Sequence, residues 1–197
     1  MIERNIRIKI PLTRVGSLIG SDGLVKQTIE EQLDLSIDVD SHTGNIELRS
    51  RNPDPSLLLR ARDVVHAIGR GFSPERAFKL FNGDLILYIV DLEQFLKSPS
   101  DIQRVKSRVI GKKGKTRRII EENTMTSISV YGDTIAIIGD MEHVDVAREA
   151  IDLLMKGALH RTVYRHLERR RSELRKIEME LWKSTPELAE TEENSHV

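Results

Sequence analysis

Two stretches of this 197-residue chain say the same thing, with Gly20 matching Gly111 and every later match at the same offset. Leu18-Ile19-Gly20-Ser21-Asp22-Gly23 lines up with Val109-Ile110-Gly111-Lys112-Lys113-Gly114. Without a gap, Ile29 then falls on Ile120, Ile37 on Ile128, Val39 on Val130 and Ile46 on Ile137. A chain with twelve glycines holds about 0.7 G-x-x-G spacings by chance, so one copy alone carries no information. Two copies in one apolar register mean two versions of a single supersecondary unit. The length suits two modules of about 80 to 90 residues, each with a modest core of its own.

Composition removes several classes of function. There is no cysteine, which excludes disulfides, thiolate nucleophiles and cysteine-held zinc. No apolar run approaches the roughly 18 residues of a membrane span, and the N-terminus enters an alternating pattern without a signal peptide. A soluble, cytoplasmic protein with no membrane association is expected. The formal net charge of zero hides an uneven distribution: residues 1–83 carry a net +1, 84–176 a net +4, and the last 21 a net −5. Between 97 and 118, nine basic residues (Lys97, Arg104, Lys106, Arg108, Lys112, Lys113, Lys115, Arg117, Arg118) face one acid, Asp101. That patch surrounds the second glycine loop and suits a polyanion.

The order of elements is the same in both halves. Ile6 to Ile10 alternates as a half-buried strand stopped by Pro11. A short helix over Val15 to Ile19 leads into the first loop, Leu24 to Leu33 resumes helical spacing, and 35–48 reads as a hairpin around the turn formers of 40–45. A helix over about 56–69 follows, then a short one with Ser73 as its cap and Pro74 at its first position. In the second half come a strand at 85–90, helices at about 100–110 and 115–123, a hairpin turning at Gly132-Asp133, and a helix over about 141–155. A further helix begins near Leu159, with Val163, Leu167, Leu174, Ile177 and Leu181 on one stripe. From Thr185 the chain is acidic and polar, and disorder is expected. The domains expected are 1–83 (first module with an added short helix), 84–157 (second module), 158–184 (basic helix) and 185–197 (acidic tail).

A G-x-x-G between two helices has a physical use. Without Cβ atoms the backbone turns sharply and approaches another chain closely. The following helix offers unpaired N–H groups and its positive dipole end to an anion. Lys112 and Lys113 fill the variable positions of the second loop, and Arg117 and Arg118 follow on the next turn. The candidate RNA-binding set is Arg104, Arg108, Ile110, Gly111, Lys112, Lys113, Gly114, Lys115, Thr116, Arg117 and Arg118. Bases are expected to lie over aliphatic side chains (Ile110, Ile120, Ile128), since aromatic residues make up only 4% of the chain. The first loop carries Ser21-Asp22 instead; Asp22 repels a phosphate but could cap the helix starting at Leu24. Its weaker set is Arg14, Gly20, Ser21, Asp22, Gly23 and Lys26, with RNA contact and a structural role both open. Arg165 and Arg169, on the basic C-terminal helix, are further candidates for the RNA backbone.

Other chemistry fails on spacing. Gly114-Lys115-Thr116 looks like the end of a Walker A loop, but position 109 is valine where that motif needs glycine, and a helix precedes it instead of a strand. The six histidines show no metal-like pairing, with His160 and His166 expected to face solvent. Glu30-Glu31 and Glu121-Glu122 sit at matching places and read as solvated helix faces. No catalytic residue, metal site or cofactor is expected, and the chain is read as a non-enzyme.

Both units match the KH pattern of Ile-Gly-x-x-Gly, an amphipathic helix and an alternating strand. Gly111 to Arg117, Glu122-Asn123-Thr124, Gly16 to Gly20, Asp40 to Gly44 and Gly69 to Ala77 together resemble one tandem-KH family, the archaeal counterpart of the eukaryotic partner-of-Nob-one pre-rRNA processing factor. The resemblance spans about 5–176. It implies an α+β fold of two KH modules (βααββα, a three-stranded sheet packed on helices), with an extra C-terminal helix. It also implies single-stranded RNA binding in small-subunit ribosome assembly, near the 3′ end of the rRNA. Implied partners are an rRNA-maturing endonuclease and the alpha subunit of translation initiation factor two. The alternatives are a protein-interaction scaffold with incidental RNA contact, and a general KH factor for mRNA or the exosome.

Overall fold

The computed structural model describes residues 3–184. The first unit runs β1 (Arg4–Lys9), α1 (Leu12–Ile19), α2 (Leu24–Leu33), β2 (Ser36–Asp40), β3 (Asn45–Ser50) and α3 (Pro55–Gly69). The short α4 (Pro74–Ala77) then leads to β4 (Ile86–Asp91), α5 (Pro99–Ile110), α6 (Lys115–Thr124), β5 (Ser127–Tyr131), β6 (Thr134–Gly139) and α7 (Met141–Met155). The last element is α8 (His160–Ser184). The acidic tail expected at 185–197 lies outside the described residues. No helix among the described residues is long and apolar enough to cross a membrane.

Local chemistry explains most boundaries. Proline occupies the first turn of α3, α4 and α5, where its missing N–H is no loss. Asp54 caps α3 by accepting from Ser56 N at 2.8 Å, and Asp140 caps α7 by accepting from His143 N at 3.0 Å. Ser73 holds the cap position of α4, but its side chain accepts no capping bond from that helix's backbone. The repeat reaches into backbone dihedrals: α2 and α6 end on Asp34 and Met125, both left-handed at φ 48° and 49°. Helix α1 starts three residues earlier than its apolar spacing indicated, directly after Pro11.

Each unit forms an antiparallel three-stranded sheet with the later hairpin strand in the middle, ordered β1-β3-β2 and β4-β6-β5. The residues matched by the repeat become core partners. Ile29, Ile37 and Ile46 are buried in the first unit as Ile120, Ile128 and Ile137 are in the second. The two cores meet at the second sheet. On β6, Ile135 and Ile137 face their own helices, whereas Ala136 and Ile138 belong to the first unit's core, joined by Leu85, Leu87 and Ile89. The central strand is therefore buried on both faces, as its unbroken apolar run requires. The first sheet keeps one face open, with Arg7, Lys9, Asp38 and Asp40 exposed.

Polar contacts fix the seam. Ser129 Oγ donates to Arg70 O at 2.8 Å, Lys79 Nζ to Ser127 Oγ at 3.2 Å, and Thr13 Oγ1 lies 2.6 Å from Tyr131 OH. Helix α8 packs Val163, Leu167 and Leu174 into the second core. Ile177, expected on the same stripe, is exposed because α8 has by then run past the body it packs on.

Candidate nucleic-acid interface

The two glycine loops have nearly superimposable backbones. Gly20, Asp22 and Gly23 stand at φ 75°, 52° and 80°; Gly111, Lys113 and Gly114 at 70°, 53° and 76°. In each loop the first glycine is required twice over. A Cβ on Gly111 would lie 2.2 Å from Thr116 Oγ1, and one on Gly20 would lie 2.4 Å from Val25 Cγ2, besides the left-handed φ. The turn presses the loop onto the next helix and points the variable residues outward. Lys112, Lys113, Lys115 and Arg118 are all exposed. Among the described residues none of these four has a carboxylate within 4 Å. They form an unneutralised cationic rim at the N-terminus of α6, where its dipole is positive.

Several expected site residues have other jobs. Thr116 is buried at 3% exposure, its hydroxyl 2.9 Å from Tyr164 OH, so it faces α8 instead of solvent. Arg108 turns inward and donates to the carbonyls of Leu154 and Ala158, tying α5 to the end of α7. Arg117 is half-buried, with Nε 3.9 Å from Glu121. Arg104 is exposed but bridged to Asp101 at 3.0 Å. Ile110 remains half-buried beside the loop, while Ile120 and Ile128 are sealed in the core and cannot carry a base.

In the first unit, Arg14 donates to Ile68 O at 2.8 Å and Phe72 O at 2.6 Å, a structural use like that of Arg108. Lys26 pairs with Glu30 at 3.5 Å. Asp22 caps nothing: the cap position of α2 is Gly23, with no side-chain bond. Gly20, Ser21, Asp22 and Gly23 thus make a loop of the same shape with the opposite charge. On α8, Arg165 and Arg169 line a groove with Leu153, Thr162 and His166, on the α7 side of the helix. Tyr164 of the same helix meets the loop helix α6 through Thr116.

Sequence reasoning missed three features. Glu121 Oε1 accepts from Ile128 N at 2.7 Å, and Glu30 Oε1 accepts from Ile37 N at 2.7 Å. Each satisfies an edge-strand amide that has no ladder partner, so only Glu31 and Glu122 are the solvated members of their pairs. Arg76 of the first unit also donates to Glu121, at 2.9 Å. His160 Nε2 sits 3.0 Å from Arg108 O, and His166 Nε2 3.0 Å from Glu149, so neither histidine is free in solvent. The repetition of Glu seven residues before each strand isoleucine was the available signal.

A βααββα unit with its three-stranded sheet ordered in this way, and with G-x-x-G between its first two helices, defines a KH-class nucleic-acid-binding fold. The family model for the second KH domain of PNO1, described as a eukaryotic type KH-domain (KH-domain type I), matches residues 86–172. A KH domain-containing protein of Methanocaldococcus jannaschii is 44% identical over 190 residues, covering 95% of this chain and 84% of that one. The pre-rRNA-processing protein PNO1 of Saccharomyces cerevisiae is 29% identical over 167 residues, covering 82% of this chain and 61% of the yeast protein. Among solved structures, the a/eIF2alpha–aDim2p–rRNA complex from Pyrococcus horikoshii OT3 contains a chain that matches with a TM-score of 0.83 and 43% identity, over 88% of this chain and 97% of the other. The chain belongs to the PNO1/Dim2 family of KH proteins.

Proposed function

We propose that this protein is a non-enzymatic RNA-binding factor of small-subunit ribosome assembly, gripping single-stranded rRNA near its 3′ end through the second glycine loop. The observation that carries the reading is the rim of Lys112, Lys113, Lys115 and Arg118, exposed and unneutralised on a left-handed loop at the start of α6. Such a loop clamps about four nucleotides, with cations on the phosphates and bases over aliphatic side chains such as Ile110. The assignment to rRNA draws on the yeast relative, a pre-rRNA-processing protein, and on the Pyrococcus complex, which contains rRNA. The same complex makes the alpha subunit of initiation factor two the protein partner of choice.

The first unit is read as a KH module whose loop, carrying Ser21-Asp22, does not hold phosphate. We further assign the start of α8 to the working part of the second module, since the family match runs on to residue 172. The test is binding of a single-stranded oligonucleotide from the small-subunit rRNA 3′ end across a salt series, beside a scrambled RNA and the Lys112→Asp/Lys113→Asp variant. Preferential binding lost in the variant is expected. Equal binding to both RNAs with a steep salt slope would reduce the site to a generic basic patch.

A further inference from the structure

The two helices that close the second unit, α7 and α8, leave a trough between them. Leu153 and His166 line both of its halves. One half, of about 250 Å³, adds Glu149, Asp152 and Lys156 of α7; the other, of about 310 Å³, adds Thr162, Arg165 and Arg169 of α8. Leu153 packs by one side on the second core and is only half-buried, so it gives the trough an apolar floor. The α7 residues recur at i, i+3, i+4 and i+7, which places them on one face of that helix. Arg165 and Arg169 stand one turn apart on the facing flank of α8. From Glu149 to Lys156 the trough runs about 10 Å, room for two turns of a docked helix.

The two walls differ in the charge they leave free. Among the described residues Arg165 has no carboxylate within 4 Å, and Arg169 has only the exposed Glu173, at 3.6 Å. Residues 161–176 of α8 carry seven basic side chains against two acidic ones. On α7, Glu149 is already engaged by His166 at 3.0 Å and by Arg170 at 3.3 Å. Asp152 has no cation within 4 Å among the described residues. A phosphate chain drawn to the arginines would meet the Asp152 and Glu149 carboxylates on the opposite wall, over a floor that offers it nothing. An amphipathic helix fits better, with an apolar ridge for the floor, acids along one flank and a base on the other. The βααββα unit ends with α7 at Met155, yet the family match runs to residue 172 and takes in both walls. The trough therefore belongs to the module that the family shares.

We propose that the trough between α7 and α8 is a protein-docking site whose occupant is an amphipathic helix of a partner protein. Leucine-like residues of that helix cover Leu153, its carboxylates pair with Arg165 and Arg169, and a basic residue on its other flank meets Asp152. The opposed walls fix the orientation of the docked helix as well as its chemistry. The site is separate from the lysine loop, so the inference does not rest on the RNA-binding reading.

The experiment is fluorescence anisotropy of the full chain with a labelled synthetic helix of about three turns. That peptide carries leucines along one ridge, glutamates on one flank and lysines on the other; a second peptide has glutamates and lysines exchanged. The first should bind, with amide shifts in NMR centred on Leu153 and His166. Arg165→Glu/Arg169→Glu should weaken it roughly tenfold and strengthen the exchanged peptide. Both arginines are exposed, so the fold should survive; Arg165→Gln/Arg169→Gln serves if the melting curve moves. The Lys112→Asp/Lys113→Asp variant should bind the peptide as the unaltered chain does, which separates this site from the loop. No binding of the first peptide at millimolar concentration, or equal binding of both peptides, would overturn the proposal. A single-stranded rRNA oligonucleotide that shifts Leu153 and binds the arginine variant more weakly would overturn it too, by making the trough an RNA surface.

Discussion

Gly111 and Gly114 share a left-handed φ but differ in what a methyl group would meet. At Gly111 it would strike Thr116, and at Gly114 nothing lies within 4 Å. Gly114→Ala should therefore cost only the dihedral penalty, about 1–2 kcal/mol. Gly111→Ala adds overpacking of about 1–3 kcal/mol. Thermal melts should place Gly111→Ala lower than Gly114→Ala by roughly 2 to 10 °C, and the reverse order would refute the steric account. Glu121 gives a second case. Its carboxylate satisfies Ile128 N and receives Arg76, with Arg117 close by. Glu121→Ala leaves a strand amide unpaired and should lose about 1–3 kcal/mol. Glu121→Gln keeps an acceptor and should lose less. Equal melting points for the two variants would mean that the carboxylate is idle. This role was hidden in the sequence because a helix position facing solvent and one reaching across to a neighbouring strand differ only in where that strand lies.

Helix α8 makes the second glycine loop different from the first. Tyr164 bonds Thr116, the residue on which Gly111 rests, and His160 reaches the carbonyl of Arg108 one turn earlier. The first unit has Ser17 and Val25 at the matching positions. We read α8 as a brace that holds the lysine loop in its binding shape before RNA arrives, which lowers the ordering cost of binding. Tyr164→Phe should then weaken RNA binding a few-fold, with the salt slope unchanged because no phosphate contact is lost. It should also speed amide exchange in the loop while leaving global stability within about 1 kcal/mol. A variant with wild-type affinity and exchange would remove the brace. The loop, its lysines and its flanking helices were legible as sequence, since each depends on neighbours within one turn. The bonds that Thr116 and Arg108 make within the fold were not legible, because the groups they meet lie about 50 residues downstream.

The union of the two units is written in Thr134-Ile135-Ala136-Ile137-Ile138-Gly139, a strand with no polar side to give to water. A three-stranded sheet with helices on one face alone would alternate. The unbroken run says that something covers the other face, though not what. In the structure the cover is the first unit, through Phe72, Ala77 and Leu80 of the same core that takes Ala136 and Ile138. The seam binds the units thermodynamically, because opening it exposes apolar surface at about 25 cal/mol per Å². It also holds Tyr131 between Thr13 and Gly71. The whole chain should accordingly melt in one transition, with calorimetric and van't Hoff enthalpies in agreement. Residues 84–184 expressed alone should melt lower and associate, since Leu87, Ile89, Ala136 and Ile138 would face water. Ala136→Asp should cause a similar fall in the full chain by burying an unpaired carboxylate at the seam. Two well-separated transitions in the intact protein, or a monomeric fragment as stable as the whole, would show that the repeat folds as two independent beads and that the first unit contributes nothing to the second one's site.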